Sequence, residues 1–291
     1  MKIGFRIPGA AGKQPLGELA QWAASNGFGA MDIGAPDAGA VEAVRKAGLE
    51  VGTFDIGGTG ALLSPDADTR KSGAKTIREK AKQAQDLGLT RAFGVFLPPD
   101  GHQTRGQSFE NWREGWPTAS EALTNAGIVF TLEGWPGPGP LYPALGVTPE
   151  TVRAMLAVDA AQGAGALKLN YDPSHLIRLG VDPLRFLSEF GAHVRHAHGK
   201  DTAFDAQWLY ETGNIGSSLG AKVPGFSEGW WRYCIPGDGA VNWANVCAGL
   251  SAHSFDGVIS VELEDARYNG TWEGEQKGLQ RSLAYLKQFW G

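Results

Sequence analysis

Cysteine is nearly absent from this 291-residue chain: only Cys234 and Cys247 occur. Two thiols exclude a disulfide scaffold and any Cys-rich zinc module, and they fit a reducing, cytoplasmic compartment. Long apolar runs are missing too. No run of 18 apolar residues exists to span a membrane, and Met1–Ile7 is too short and too interrupted for a secretory signal. Positive charge is in deficit, with 26 Lys and Arg against 31 Asp and Glu, a formal net charge of −5. A chain without a basic run is a poor general nucleic-acid binder, so neither nucleic acid nor a membrane is expected as a partner. There is no solenoid repeat, low-complexity tail or linker, and residues 1–291 read as one domain.

What is abundant is glycine, 42 residues or about 14%, roughly twice the usual ~7%. With no collagen period, these glycines punctuate many turns. Between the turns, short β-rich runs alternate with helical patterns. The runs are Lys2–Ile7, Phe28–Ile33, Glu50–Asp55, Arg91–Leu97, Ile128–Glu133, Ala166–Asp172, His193–His198 and Gly257–Glu262. Helical spacing fills Leu16–Ser25, Pro36–Ala47, Asp66–Leu87, Glu110–Ala126, Thr148–Ala160, Asp182–Glu189, Asn242–Ser251 and Glu273–Trp290. Thr148-Pro-Glu and Asp182-Pro are N-caps followed by a first-turn proline. Eight strand–helix units predict an α/β fold, a (β/α)8 TIM barrel with parallel strands and right-handed crossovers. A doubly wound sheet would show a glycine fingerprint after strand one. Here Gly12-Lys13-Gln14 follows, with Ile7 where a P-loop needs its first Gly, and it reads as a turn. Two connections are long, 134–147 and 202–241. The second, the longest irregular stretch, carries Trp208, Tyr210, Trp230, Trp231 and Tyr233. Both leave the C-terminal face, where barrel active sites sit.

Four consecutive strands end in metal-type ligands: Glu133, Asp172, His198 and Glu262. Neighbouring barrel strands are about 5 Å apart, so their ends form an arc around one point. Three carboxylates crowded there repel one another unless a cation sits between them. Any single one would more simply be a helix cap or a solvated charge; four in a row make a shared site. Oxygen donors plus one imidazole suit one divalent ion, Mn or Mg first, with Co or Zn compatible.

Strand parity puts His196 and His198 on one face, with His198 nearer the mouth and His196 a layer below. His175 follows Asp172-Pro-Ser and either reaches a substrate oxygen or steadies the turn. Lys200 either touches substrate or pairs with Asp201. Arg232, beside Trp230 and Trp231, either fixes a substrate oxygen or bridges a loop. Trp135, Trp208, Trp230, Trp231 and Trp272 fall in mouth loops; Trp22, Trp243 and Trp290 sit in helices and pack. Flat aromatic faces suit sugar rings and subunit interfaces alike, which leaves a homo-oligomer open.

Asp172-Pro-Ser-His175, His198-Gly-Lys-Asp201, Trp231-Arg-Tyr-Cys-Ile-Pro-Gly237 with Val241-Asn-Trp243, and Val261-Glu-Leu-Glu-Asp265 together resemble the xylose-isomerase-like TIM-barrel superfamily, in particular its sugar phosphate isomerases/epimerases. The resemblance runs over essentially the whole chain. It implies Glu133, Asp172, His198 and Glu262 as metal ligands and His175 as a substrate contact. It also implies Glu133 and Glu262 as the pair that exchanges the substrate proton. Lys200, Trp231 and Arg232 complete the expected binding residues. The implied activity is isomerisation or epimerisation of a keto-sugar by removal of a proton α to the carbonyl, through a metal-stabilised enediolate. The family's alternative is a lyase that dehydrates an inosose or eliminates from a 3-keto-glycoside. A DNA-repair relative on the same barrel is disfavoured by the acidic balance. Cys234 stands where relatives often carry Arg, and Leu263 where many carry His.

Overall fold

The computed structural model describes residues 2–163, 165–216, 219–220 and 222–290. In chain order the elements are β1 (Lys2–Arg6), α1 (Leu16–Ser25), β2 (Ala30–Ile33), α2 (Ala38–Lys46), β3 (Glu50–Asp55), α3 (Ala67–Asp86), β4 (Arg91–Gly94), α4 (Arg105–Asn125), β5 (Val129–Glu133) and α5 (Pro149–Ala161). There follow β6 (Leu167–Tyr171), α6 (Pro173–Arg178), α7 (Pro183–Phe190), β7 (Val194–Gly199), β8 (Asp201–Phe204), α8 (Ala206–Thr212), β9 (Trp231–Cys234), α9 (Trp243–Ala252), β10 (Val258–Glu262) and α10 (Trp272–Leu286). Eight parallel strands close a barrel in the order β1-β10-β7-β6-β5-β4-β3-β2, while β8 and β9 form a separate antiparallel pair. The barrel expected from alternation is the barrel found, with each strand within a few residues of its expected bounds.

Helices begin where the caps say. Asp37, Asp66 and Asp182 accept backbone N–H bonds at their N-termini, and Thr148 forms a capping box with Thr151. The apolar core lies between barrel and helices rather than inside the barrel. Trp112 and Trp116 of α4 stack at 5.5 Å and meet Phe96 and Phe130, all fully or almost fully buried. Each such Phe contributes about 1.5–3 kcal/mol by leaving water.

The alternation within the strands sends the other set inward, and that set is polar: Arg6, Asp32, Glu133, Asn170, His196, His198, Ser260 and Glu262 touch one another across the barrel. Buried polar groups must find partners. Asn170 Nδ2 donates to Glu133 Oε1 at 3.1 Å, while its Oδ1 lies 2.8 Å from His196 Nδ1. Ser260 Oγ meets His196 Nε2 at 3.2 Å.

Segment 202–241 is not irregular throughout. The chain leaves β7, passes through Lys200 and continues as β8, which pairs with β9 in the register Asp201↔Cys234 to Phe204↔Trp231. Asp201 pins the return of this excursion, accepting from Val241 N (2.9 Å), Gly237 N (3.1 Å) and Trp243 Nε1 (3.1 Å). It makes no pair with Lys200, because its carboxylate is consumed by these donors. Asp172-Pro-Ser-His175, expected as a turn, instead opens α6, capped by Asp172 through Ser174 N at 2.8 Å. Trp272 opens α10 and packs edge-on against Trp22 at 5.0 Å, so it is a packing residue rather than a loop aromatic. Both cysteines are free and buried. No helix among the described residues is long and apolar enough to cross a membrane.

Candidate metal centre and active site

Glu133 ends β5, Asp172 follows β6, His198 lies near the end of β7 and Glu262 ends β10. One ligand atom from each lies within 4.8 Å of all the others. His198 Nδ1 is 2.6 Å from Glu133 Oε1, 3.3 Å from Glu262 Oε2 and 3.9 Å from Asp172 Oδ2. Glu133, Asp172 and His198 are buried, and Glu262 retains 14% side-chain exposure. Buried Asp172 Oδ2 and both His198 ring nitrogens lack an aligned hydrogen-bond partner, although Asp172 Oδ2 lies 3.2 Å from Lys200 Nζ and His198 Nδ1 2.6 Å from Glu133 Oε1. Three carboxylates, one imidazole and these unpartnered atoms therefore fit a divalent cation that accepts mostly oxygen.

His198 and Lys200 offset part of the carboxylates' charge. Burial alone would raise the Glu133 carboxyl; His198 and His175 overcome it and hold it well below the usual range. Glu262 follows the same pattern, with Lys200 and His198 as the opposing charges. Burial would lower His198, and Glu262 and Glu133 lift it well above an ordinary histidine. Lys200 is 1% exposed, with its ammonium 3.2 Å from Asp172 Oδ2, 3.0 Å from Glu264 Oε2 and in direct contact with Glu262. Burial would lower its pKa; Asp172, Glu262 and Glu264 raise it well above the usual value.

His175 sits against this cluster, its Nε2 3.3 Å from Asp172 Oδ2 and 3.4 Å from Lys200 Nζ. Its other nitrogen meets the Tyr233 hydroxyl at 2.6 Å, and that hydroxyl accepts from Arg178 Nη1 at 2.6 Å. Arg178 can only donate to that oxygen, so the Tyr233 hydroxyl is free to donate to His175 Nδ1 in the tautomer that carries its proton on Nε2. Arg178 is held in turn by Glu228 at 3.2 Å and lies 4.1 Å over the Trp231 ring. The β8–β9 hairpin thus closes the His175 side of the mouth. The opposite rim is more open: Arg6 forks onto Asp55 with two 2.9 Å bonds and stands over Phe93, with Arg6, Asp55 and Glu264 retaining 26%, 35% and 31% side-chain exposure.

The structure therefore brings Glu133, Asp172, His175, His198, Lys200 and Glu262 together. It does not bring Trp231 or Arg232 to them. Trp231 is 3% exposed, its ring covered by Arg178 and its Nε1 directed to Glu228. Arg232 alternates to the hairpin face opposite Tyr233 and has no ion pair or side-chain hydrogen bond to the cluster. Asp32, Arg6 and Arg178 went unread in the sequence, and Tyr233 was read only as one of the aromatics of the 202–241 connection. Asp32 carried one usable signal: it stands near the end of the second strand, as Glu133 does on the fifth.

A closed parallel barrel with carboxylates and an imidazole converging at its C-terminal mouth is the architecture of a barrel enzyme, and those side chains could hold a metal ion. The xylose isomerase-like TIM barrel family model matches residues 20–289, and the chain belongs to that family. Inosose dehydratase of Clostridium perfringens is 22% identical over 248 residues, covering 82% of this chain and 78% of that enzyme. An uncharacterised protein of Bacillus subtilis and an inosose dehydratase of Clostridium beijerinckii match over only 36% and 30% of their own lengths. In structure the chain is similar to a D-psicose 3-epimerase (TM-score 0.71, 16% identity, 99% of both chains). It is also similar to 3-keto-D-glucoside 4-epimerase of E. coli (TM-score 0.68, 17% identity, 99% of both chains).

Proposed function

We propose that this protein is a divalent-metal-dependent sugar isomerase or epimerase that removes a proton α to the carbonyl of a keto-sugar or its derivative. The observation that carries the reading is the convergence of Glu133, Asp172, His198 and Glu262 within 4.8 Å. These four would hold the ion, and Mg or Mn suits the oxygen-rich set. Bound there, a divalent cation supplies Lewis-acid polarisation of a carbonyl.

The chain's own residues do the rest. Glu133 and Glu262 are carboxylates on opposite sides of the cluster, held ionised by His198 and Lys200, and an ionised carboxylate is the form that takes a proton. Returned to the other face of the same carbon, that proton gives the epimer; returned to the neighbouring carbon, it gives the isomer. His175, with its proton on Nε2, donates to a substrate oxygen. Lys200 balances negative charge as it develops. The hairpin excludes water from the His175 side, and substrate enters past Glu262, Glu264 and Arg6. The curated inosose dehydratase relatives favour a second reading, in which the same proton removal is followed by loss of a β-substituent.

The test is an NMR assay of keto-sugars in D2O with Mg- or Mn-reconstituted protein. Deuterium entering at the α-carbon together with an isomer or epimer supports the first reading. Exchange together with an unsaturated or dehydrated product selects the second. Stable substrate without exchange across a panel of ketoses, 3-keto-glycosides and inososes rejects both.

A further inference from the structure

Below the centre, Asp32 of β2 is fully buried and shares its two oxygens unequally. Oδ1 accepts from Thr53 N at 2.9 Å and lies 3.2 Å from His196 Nε2. Oδ2 has no partner. His198 Nε2, also buried and also without a hydrogen-bond partner, lies 4.0 Å from it. Two local features of the backbone serve this one side chain. The β2–β3 ladder slips between Met31↔Val51 and Ile33↔Phe54, so Gly52 and Thr53 stand opposite Asp32 alone. This bulge frees Thr53 N from the ladder and turns it to the Asp32 carboxylate. Gly52 supplies the space, because a Cβ there would lie 2.2 Å from Asp32 Oδ1 and 3.4 Å from His196 Nε2.

We propose that Asp32 is a positioning residue for the centre: its Oδ2 accepts the Nε2 proton of His198 and so presents Nδ1, as a bare donor, to the point shared by Glu133, Asp172 and Glu262. A neutral imidazole offers a lone pair at Nδ1 only when its proton is on Nε2, and a buried N–H requires an acceptor. Asp32 Oδ2 is the vacant acceptor on that side. At 4.0 Å the contact is longer than a hydrogen bond; such contacts are often long in ligand-free sites and tighten when the site fills. A carboxylate behind a ligating histidine also makes it a stronger donor. The inference rests on the proposed ion site.

Histidine-15N NMR tests it, paired with Mn titration of the wild type, Asp32→Asn and Gly52→Ala. In the wild type, His198 Nε2 should carry a downfield, slowly exchanging proton in both metal-free and Mg-loaded protein. In Asp32→Asn that resonance should move upfield and exchange faster, and the Mn dissociation constant should rise about 10–100-fold. Gly52→Ala, which displaces the carboxylate without removing it, should weaken Mn binding in the same direction. An unmoved Nε2 resonance in Asp32→Asn, or an Nε2 without a proton in Mg-loaded wild type, overturns the proposal. If Asp32→Asn does not fold, the wild-type resonance decides alone, and rapid exchange at Nε2 rejects the bond. If the wild type binds no divalent cation, the ion site falls, while the metal-free spectra still decide whether Asp32 holds His198.

Discussion

The Lys200 ammonium lies 3.2 Å from Asp172 Oδ2, inside the group of carboxylates that the ion site requires. One cation of the chain itself therefore occupies part of the space and part of the electrostatic attraction that a divalent ion would use. Two like charges about 4 Å apart at an effective dielectric near 20 repel by about 4 kcal/mol. Lys200→Met should therefore raise divalent-ion affinity at least tenfold, measured by competition with a chelator. The metal-free variant should lose about 3–5 kcal/mol of stability, as when one partner of a buried pair is removed, and added Mg should restore much of it. Unchanged or weaker ion binding in Lys200→Met would show that Lys200 does not compete for these carboxylates.

Glu262→Gln keeps the shape and one oxygen donor but cannot serve as a base. Deuterium exchange into substrate should fall by at least about 10²-fold, with bound metal within a fewfold of wild type by elemental analysis. Exchange at the wild-type rate with metal present would remove Glu262 from proton transfer.

The Tyr233 hydroxyl joins Arg178 to His175 with two 2.6 Å contacts. Tyr233→Phe leaves a buried guanidinium N–H without its acceptor, at a cost of about 1–3 kcal/mol, and frees His175 to take the other tautomer. The turnover number should drop more than KM rises, because substrate still reaches its position but meets a misoriented donor. If kcat and KM are unchanged while stability falls, Tyr233 only braces the hairpin.

The barrel was legible because each strand is a short run and most are followed by a helix that opens on its own capping residue. The convergence of Glu133, Asp172, His198 and Glu262, the proposed ligands, was legible because they stand at or near strand ends, where parity and rise fix direction. The rest depends on pairings that leave no periodic trace. Asp201–Phe204 and Trp231–Cys234 are separated by 26 residues and become strands only by meeting each other. Asp32 owes its setting to a bulge on the neighbouring strand, and Arg178 to aromatic rings from the 134–147 connection and from β9. The pairing of Lys200 and Asp201 failed because adjacent residues on an extended chain point to opposite sides.

The thiols give a pH prediction. Burial pushes Cys234 and Cys247 each up to about 12 from a usual value of 9.0. Both should resist alkylation at neutral pH in the folded protein and react once it unfolds. The folded values are raised, so the neutral thiols' contribution to stability is fully present below pH 9 and is lost as pH rises from there through 12. Titration of free thiols with and without denaturant checks the first part, and melting curves between pH 8 and 10 the second. Rapid alkylation of native protein at pH 7 would contradict the burial.

Trp231 carries the sharpest revision of the sequence reading. An aromatic in a mouth loop was expected to stack on substrate, yet both its polar edge and its face are taken, by Glu228 at 3.2 Å and Arg178 at 4.1 Å. Its ring also packs on Tyr233 with centroids 4.7 Å apart. Removing it opens a cavity beneath the hairpin and unseats Arg178, which then no longer holds the Tyr233 hydroxyl. Trp231→Ala should therefore cost about 3–5 kcal/mol in stability and lower kcat through His175, while metal content stays unchanged. A residue stacked on substrate behaves differently: its loss raises KM and leaves the melting temperature alone. Thermal melts and steady-state kinetics on one preparation separate the two. A large KM increase with an unchanged melting temperature would return Trp231 to the substrate surface and require the Arg178 contact to break when substrate binds.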